Sequence, residues 1–253
     1  MSKAQELFGP RLRELDPVRL FEDAYGFAPM GWQESYLWDT RNCIVLKGRQ
    51  VGASTCAGLL AVRIARHYSR SLCAIVSPSQ KQSTEVKVKA KGALERLGER
   101  LMLDSASVVG LENGSRIMSL PGSPKSVRGW TADFLVIDEA AFLDPDTFLA
   151  ARATVATGGR LIVQSTPAGP FGHFYDLWTS RDTDSWGKYT VSSEEVSTID
   201  SGWLAGEKAT MTAENYAQEY LGQFTTPGLG LVDPSRLNEL VAAEKTSVWD
   251  KLR

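Results

Sequence analysis

Four short apolar runs alternate with longer stretches of helical period along this chain. Cys43-Ile44-Val45-Leu46, Leu72-Cys73-Ala74-Ile75-Val76, Phe134-Leu135-Val136-Ile137 and Leu161-Ile162-Val163-Gln164 are too short for helices and carry almost no polar residue, as strands buried on both faces do. Residues 54–70 place Leu59, Leu60, Val62, Ile64 and Ala65 as in a helix buried over much of its surface, and residues 80–100 read as a cation-rich helix. Strands alternating with helices predict an α/β fold, with a mostly parallel central sheet flanked by helices. One stretch departs from this: Asn113-Gly114 separates two strand-like runs within 108–118 and predicts a hairpin.

At the start of the chain, residues 1–30 read as helical turns around Pro10 and Pro17. Beyond Gly172 the pattern changes, with an aromatic helix-like segment over 174–178, a strand over 186–191 and a helical stretch over 201–224. The organisation expected is a core over 1–173 that includes the N-terminal helical segment, a small C-terminal lid over 174–226, and a linker or tail over 227–253.

Composition narrows this only slightly. The 253 residues are 43% hydrophobic and 23% charged, as in a globular protein, and the net charge of −2 gives no global attraction to nucleic acid. A local patch matters more, and Lys81, Lys87, Lys89, Lys91, Arg96 and Arg100 form the densest one, either a solvated face or a surface for DNA phosphates. Cys43, Cys56 and Cys73 are odd in number and lack metal-ligand spacing, which predicts buried reduced thiols and a reducing compartment. The first residues are polar and no apolar run is long enough to span a bilayer, so a cytosolic protein is expected.

The candidate chemistry centres on Lys47-Gly48-Arg49-Gln50-Val51-Gly52-Ala53-Ser54-Thr55, which joins a strand to a helix as a phosphate-binding loop does. Unpaired amides at a helix start and the helix dipole favour an anion there, and Gly48 and Gly52 let the backbone approach it closely. The loop departs from the usual G-x-x-x-x-G-K-[ST]. Ala53 stands where a lysine would reach the β- and γ-phosphates, leaving Lys47 and Arg49 as the nearest cations to replace it; Ser54 keeps the hydroxyl that ligates Mg²⁺.

A second group lies at strand ends. Asp138 and Glu139 close the third apolar run, at the edge where open parallel sheets bind ligands. Asp138 would hold Mg²⁺ opposite Ser54, and Glu139 would act as general base on a water in line with the γ-phosphate. Ser165 and Thr166 emerge on the same edge, able to hydrogen-bond that water or the phosphate. Arg128, on the polar loop 121–130, could reach a γ-phosphate in its own subunit or a neighbour's. Gln33 could pair with the N6 and N7 edge of adenine; the alternative has Trp32 anchoring the N-terminal segment and Gln33 at the surface.

In this order the stretches resemble the ATPase portion of the large terminase subunit of tailed bacteriophages and related viruses, the motor that pumps DNA into an empty capsid. The likeness runs from Pro29 to Phe224. Trp32-Gln33 resembles the family's adenine motif, residues 47–55 its Walker A loop, and Ser77-Pro78-Ser79-Gln80 the segment after its second strand. Arg128-Gly129 resembles the arginine-finger loop, Ile137-Asp138-Glu139 the Walker B motif with its catalytic glutamate, Ser165-Thr166-Pro167 the coupling motif, and residues 219–224 the close of the lid.

Some terminases carry the loop lysine at the front, as Lys47 does here; that implies Lys47 as the phosphate contact and leaves its division of labour with Arg49 open. The resemblance implies a P-loop NTPase fold of the additional-strand (ASCE) type, using ATP and Mg²⁺. It also implies double-stranded DNA, a viral portal or procapsid and a small terminase subunit as partners, in the cytoplasm of the infected host cell and away from membranes. The assembled form would be a homo-oligomeric ring and the isolated chain a monomer. The family continues into a nuclease domain whose acids this sequence does not contain, so cutting activity is not expected. Two competing readings are a helicase-like or repair translocase, which would need a second motor domain, and a nucleotide-binding module without turnover, suggested by Ala53.

Overall fold

The structure, a computed structural model, describes residues 16–226. The turns expected around Pro10 and the tail over 227–253 lie outside the described residues. Helix α1 (Pro17–Tyr25) starts where the Asp16 carboxylate accepts the Val18 and Arg19 amides and ends at Gly26 in the left-handed region. Helix α2 (Gly31–Trp38) leads into strand β1 (Cys43–Lys47), buried throughout. Then follow α3 (Ala53–His67), β2 (Leu72–Ser77) and α4 (Gln80–Arg96). Three strands come next: β3 (Leu101–Asp104), β4 (Val108–Leu111) and β5 (Arg116–Pro121). A short α5 (Pro124–Val127) precedes β6 (Ala132–Asp138), α6 (Pro145–Arg152) and β7 (Val155–Ser165). The described chain closes with α7 (Gly172–Thr179), β8 (Gly187–Val191), α8 (Ser201–Thr210) and α9 (Ala213–Glu219).

These strands form one eight-stranded sheet in the order β3-β4-β5-β2-β6-β7-β1-β8. From β5 to β8 every pairing is parallel, and the expected hairpin supplies the antiparallel β4–β5 pair. Strand β7 lies between the loop-bearing β1 and the acid-bearing β6, which is the inserted strand of the ASCE class. Alternate residues of each strand face opposite layers. Val45, Ile75, Phe134 and Val136 pack under α1 to α4, while Ile44, Val76, Leu135 and Ile137 pack against Phe148 of α6 and Phe174 of α7. Both faces are covered, so the strands read as unbroken apolar runs.

Several elements differ from expectation. The helix expected to reach Arg100 stops at Arg96, because Gly98 takes a left-handed φ of 76°, and the Leu101-Met102-Leu103 run then pairs as an exposed edge strand. Helix α6 was not anticipated; Asp144 caps it by accepting the Thr147 amide. Strand β7 begins at Val155, six residues before its apolar half. The helical stretch over 201–224 divides at Thr212, whose hydroxyl accepts the Asn215 amide to start α9.

The division expected at 173/174 is not followed by the sheet. Strand β8 pairs in parallel with β1, and Phe174 and Leu177 belong to the core beneath α6. Helices α8 and α9 form a separate small cluster around Leu204, Tyr216 and Tyr220, and Val191 and Val196 form another with Val51 and Ala53 of the loop. All three cysteines are buried and free, and burial pushes each thiol upward, away from reactivity. Among the described residues no helix is long and apolar enough to cross a membrane.

Candidate nucleotide site

Strand β1 ends at Lys47 and the chain turns over Gly48–Gly52 into α3. Gln50 and Gly52 both take positive φ, 61° and 86°, which turns the loop back so that α3 begins without any side-chain cap. The Gln50, Val51, Gly52, Ala53 and Ser54 amides have no backbone acceptor among the described residues, the arrangement that receives an anion. The cradle is narrower than the sequence window: the Gly48 amide donates to the Val191 carbonyl at 2.8 Å and the Arg49 amide to the Glu219 carbonyl at 2.8 Å. Residues 47–54 line a cavity of about 470 Å³ with Glu139 and Thr166 from the sheet edge, Phe142, and Gln82 and Lys89 from α4. Thr55 is not among its walls.

The acids meet the loop from across the inserted strand. Lys47 Nζ donates to Glu139 Oε1 at 2.6 Å, and the other oxygen, Oε2, accepts from Ser165 Oγ at 3.4 Å, the Thr166 amide at 3.3 Å and Thr166 Oγ1 at 3.4 Å. Glu139 adopts a left-handed backbone, φ 52°, at the end of β6, a conformation that needs surrounding support. Ser54 Oγ lies 3.5 Å from Asp138 Oδ2, to which it donates, and Gln164 Nε2 donates to Asp138 Oδ1 at 2.7 Å.

Burial pushes the Asp138 carboxyl upward; Lys47 pulls it down, Glu139 raises it again, and the Gln164 hydrogen bond and Lys89 lower it. A hydroxyl beside a buried carboxylate offers hard oxygens suited to Mg²⁺. Among the described residues there is no group of three or more His, Cys, Asp or Glu that could hold a metal ion.

Lys47, Ser54, Asp138, Glu139, Ser165 and Thr166 are therefore brought together, while Gln33, Thr55 and Arg128 lie outside the cavity. Arg49 lines the cavity, but its guanidinium is half-exposed and pairs with Glu219 at the end of α9. Gln33 is neither at the surface nor in the cavity. It is buried, its carboxamide oxygen accepts the Met30 amide at 2.9 Å, and its nitrogen packs against Gly52, where an added Cβ would lie 2.6 Å away. Its oxygen is thus engaged by the Met30 amide while its nitrogen faces the loop. Arg128 is exposed on a separate groove with Trp130, Asp146 and Leu149, away from its own chain's cavity.

Sequence does not single out Gln164, the Glu219 contact or the place of Lys89 at the cavity, since Lys89 reads there only as part of a cationic helix. Gln164 had a signal, a lone polar residue at the end of an apolar strand beside two hydroxyls; the others depend on helix packing.

A sequence profile described as "Terminase large subunit, T4likevirus-type, N-terminal" matches residues 44–237. The chain belongs to this family. Solved terminases agree in fold. The ATPase domain of the Thermus phage P74-26 large terminase superposes with a TM-score of 0.66 at 21% identity, over 83% of this chain and 99% of that one. The large terminase of the thermophilic bacteriophage D6E in complex with ADP gives 0.63 at 13%, over 84% of this chain and 53% of that one. The HK97 bacteriophage large terminase gives 0.64 at 14%, over 83% and 55%. The chain thus spans about half the length of the D6E and HK97 terminases and nearly all of the P74-26 domain. The DNA-packaging role expected from the order of motifs is that of the family, and neither comparison supports a helicase-like reading.

Proposed function

We propose that this terminase domain hydrolyses ATP with Mg²⁺ and that the turnover drives double-stranded DNA into a procapsid. The observation that carries this reading is Glu139, a carboxylate held at the wall of the loop's cavity by Lys47 on one oxygen and by Ser165 and Thr166 on the other. The amides of residues 50–54 bind phosphate oxygens and Gly48 gives the loop its close packing. Ser54 and Asp138 would hold the cation, with Gln164 orienting the carboxylate. Bound Mg²⁺ would neutralise charge developing on the phosphates.

In the described state Glu139 is fully engaged by donors. Lys47 exchanges Glu139 for phosphate oxygens when nucleotide enters, which frees Oε1 to accept a proton from the attacking water, while Ser165 and Thr166 keep the carboxylate aimed. The α8–α9 pair is the moving lid. Arg49, on its Glu219 tether, links lid position to the loop. Arg128, exposed and apart from its own cavity, serves a neighbouring subunit in a ring assembled on a portal, with a small terminase subunit as partner and the infected cell's cytoplasm as the setting. Gln33 acts by holding Gly52, and Thr55 by continuing α3.

Phosphate release and analogue binding test this together. Glu139→Gln should lower turnover by roughly 10²–10⁴-fold while leaving affinity for an ATP analogue within about twofold. Parent turnover per chain should rise with protein concentration, and Arg128→Ala should abolish that rise. Normal hydrolysis by the Glu139 variant would remove the base assignment, and a parent that binds ATP without turnover would leave a nucleotide-binding module.

A further inference from the structure

Helix α4 carries a row of cations, and tertiary packing separates them. Lys87 is buried and donates to the Ser105 carbonyl at 2.8 Å, Lys91 pairs with Asp104 at 2.6 Å, and Arg96 donates to the Ala24 carbonyl at 3.2 Å. Lys89 is different: it lines the nucleotide cavity, and among the described residues no acceptor engages its ammonium.

Close contact between α3 and α4 sets its position. Gly58 lies at their crossing, where an added Cβ would stand 3.3 Å from the Ala90 nitrogen and the Val86 oxygen and 3.6 Å from Lys89 Cβ. Gly58 is about one turn along α3 from Ser54, so the Lys89 stem starts beside the second turn of the helix that opens the cradle. Its flexible four-carbon chain gives it reach over the cavity.

The charge inventory of the loop leaves a role for it. Ala53 supplies no cation and Arg49 is paired with Glu219, which leaves Lys47, released from Glu139, as the one loop cation for the phosphates. Helix α4 follows β2, the neighbour of the acid-bearing β6, and Lys89 shares the cavity wall with Ser54 and Glu139.

We propose that Lys89 contacts the terminal phosphate of a bound nucleoside triphosphate, supplying from the neighbouring helix a charge that the loop lacks at position 53. This rests on the reading of the cavity as a nucleotide site. The inner phosphates belong to the loop amides, so Lys89 distinguishes triphosphate from diphosphate.

The test measures affinity for a non-hydrolysable ATP analogue and for ADP, by calorimetry with Mg²⁺ present, on the parent, Lys89→Ala, Lys89→Arg and Lys81→Ala. Lys81 is an exposed cation on the same helix outside the cavity and controls for general electrostatics. Lys89→Ala should weaken the analogue roughly tenfold and leave ADP within about twofold, with Lys89→Arg restoring most of the loss and Lys81→Ala changing neither. Equal weakening of both nucleotides, an equal effect from Lys81→Ala, or no effect from Lys89→Ala overturns the assignment while the site itself stands. A parent that binds neither nucleotide removes the site, and the assignment with it.

Discussion

The sheet edge and the α8–α9 pair grip the same loop by different means. At the sheet edge, Lys47 and Glu139 extend from strand ends with side chains only 8% and 22% exposed, so losing either partner leaves a largely desolvated charge. On the lid side the Arg49 side chain is 59% exposed, and a pair so wet is worth about 0–1 kcal/mol. What fastens the lid is main chain: the Arg49 amide on the Glu219 carbonyl, the Ser193 amide on the Tyr220 carbonyl at 2.7 Å, and Ser193 Oγ on the Arg49 carbonyl at 2.6 Å. The loop thus meets Glu139 through a side chain and the α8–α9 pair chiefly through its own backbone.

The most damaging way to break that contrast is Gly48→Ala. A methyl group there would press on the Tyr220 carbonyl and lie 2.5 Å from Ser193 Oγ and 2.9 Å from the Ser193 nitrogen. The expected loss is about 2–3 kcal/mol, with hydrogen exchange accelerated over 193–222 and unchanged in β2 and β6. Uniform acceleration across the sheet would mean that the lid is not a separately held unit.

Asp138→Asn sharpens the sheet-edge side and should have an intermediate effect. Burial raises the folded-state carboxyl above its unfolded value, so the folded protein binds its proton more tightly. That penalty is absent below the unfolded pKa and grows as pH rises through the folded one. Nucleotide-free Asp138→Asn should therefore be more stable than the parent by about 1 kcal/mol at pH 7, with the gain shrinking toward pH 4. Thermal melts across that range check it; a gain that grows on acidification would reverse the sign. The same variant should lose the extra melting shift that Mg²⁺ gives with nucleotide.

The smallest effect belongs to Arg49→Ala. Stability should fall by less than about 1 kcal/mol at low salt and by nothing measurable at high salt. A salt-independent loss larger than this would show that the Arg49–Glu219 pair is structural.

Much of this was open to reading along the chain. The four apolar runs, the hairpin at Asn113-Gly114 and the acids closing β6 were visible because a strand covered on both faces must be apolar throughout, and a polar residue at its end has only the sheet edge to occupy. Strand β3 and the first half of β7 were hidden, since half-exposed or glycine-bearing edge segments need no such pattern. Gln33 was misplaced for a related reason: its burial comes from α2 packing on the loop, which residue type does not reveal.

By itself, then, the sequence determined which groups stand at strand ends: Lys47, Asp138, Glu139, Ser165 and Thr166, each following an apolar run whose burial leaves one place for them. Only the tertiary structure decided their partners: Lys47 on Glu139, Gln164 on Asp138, Arg49 on Glu219, Lys89 turned to the cavity and Arg128 turned away. Strand order and helix crossing set those distances. Lys47 and Glu139 meet because β7 seats both strand ends on one edge, and Lys89 reaches the cavity because Gly58 lets two helices touch. Neither relation is written in the spacing of residues along the chain.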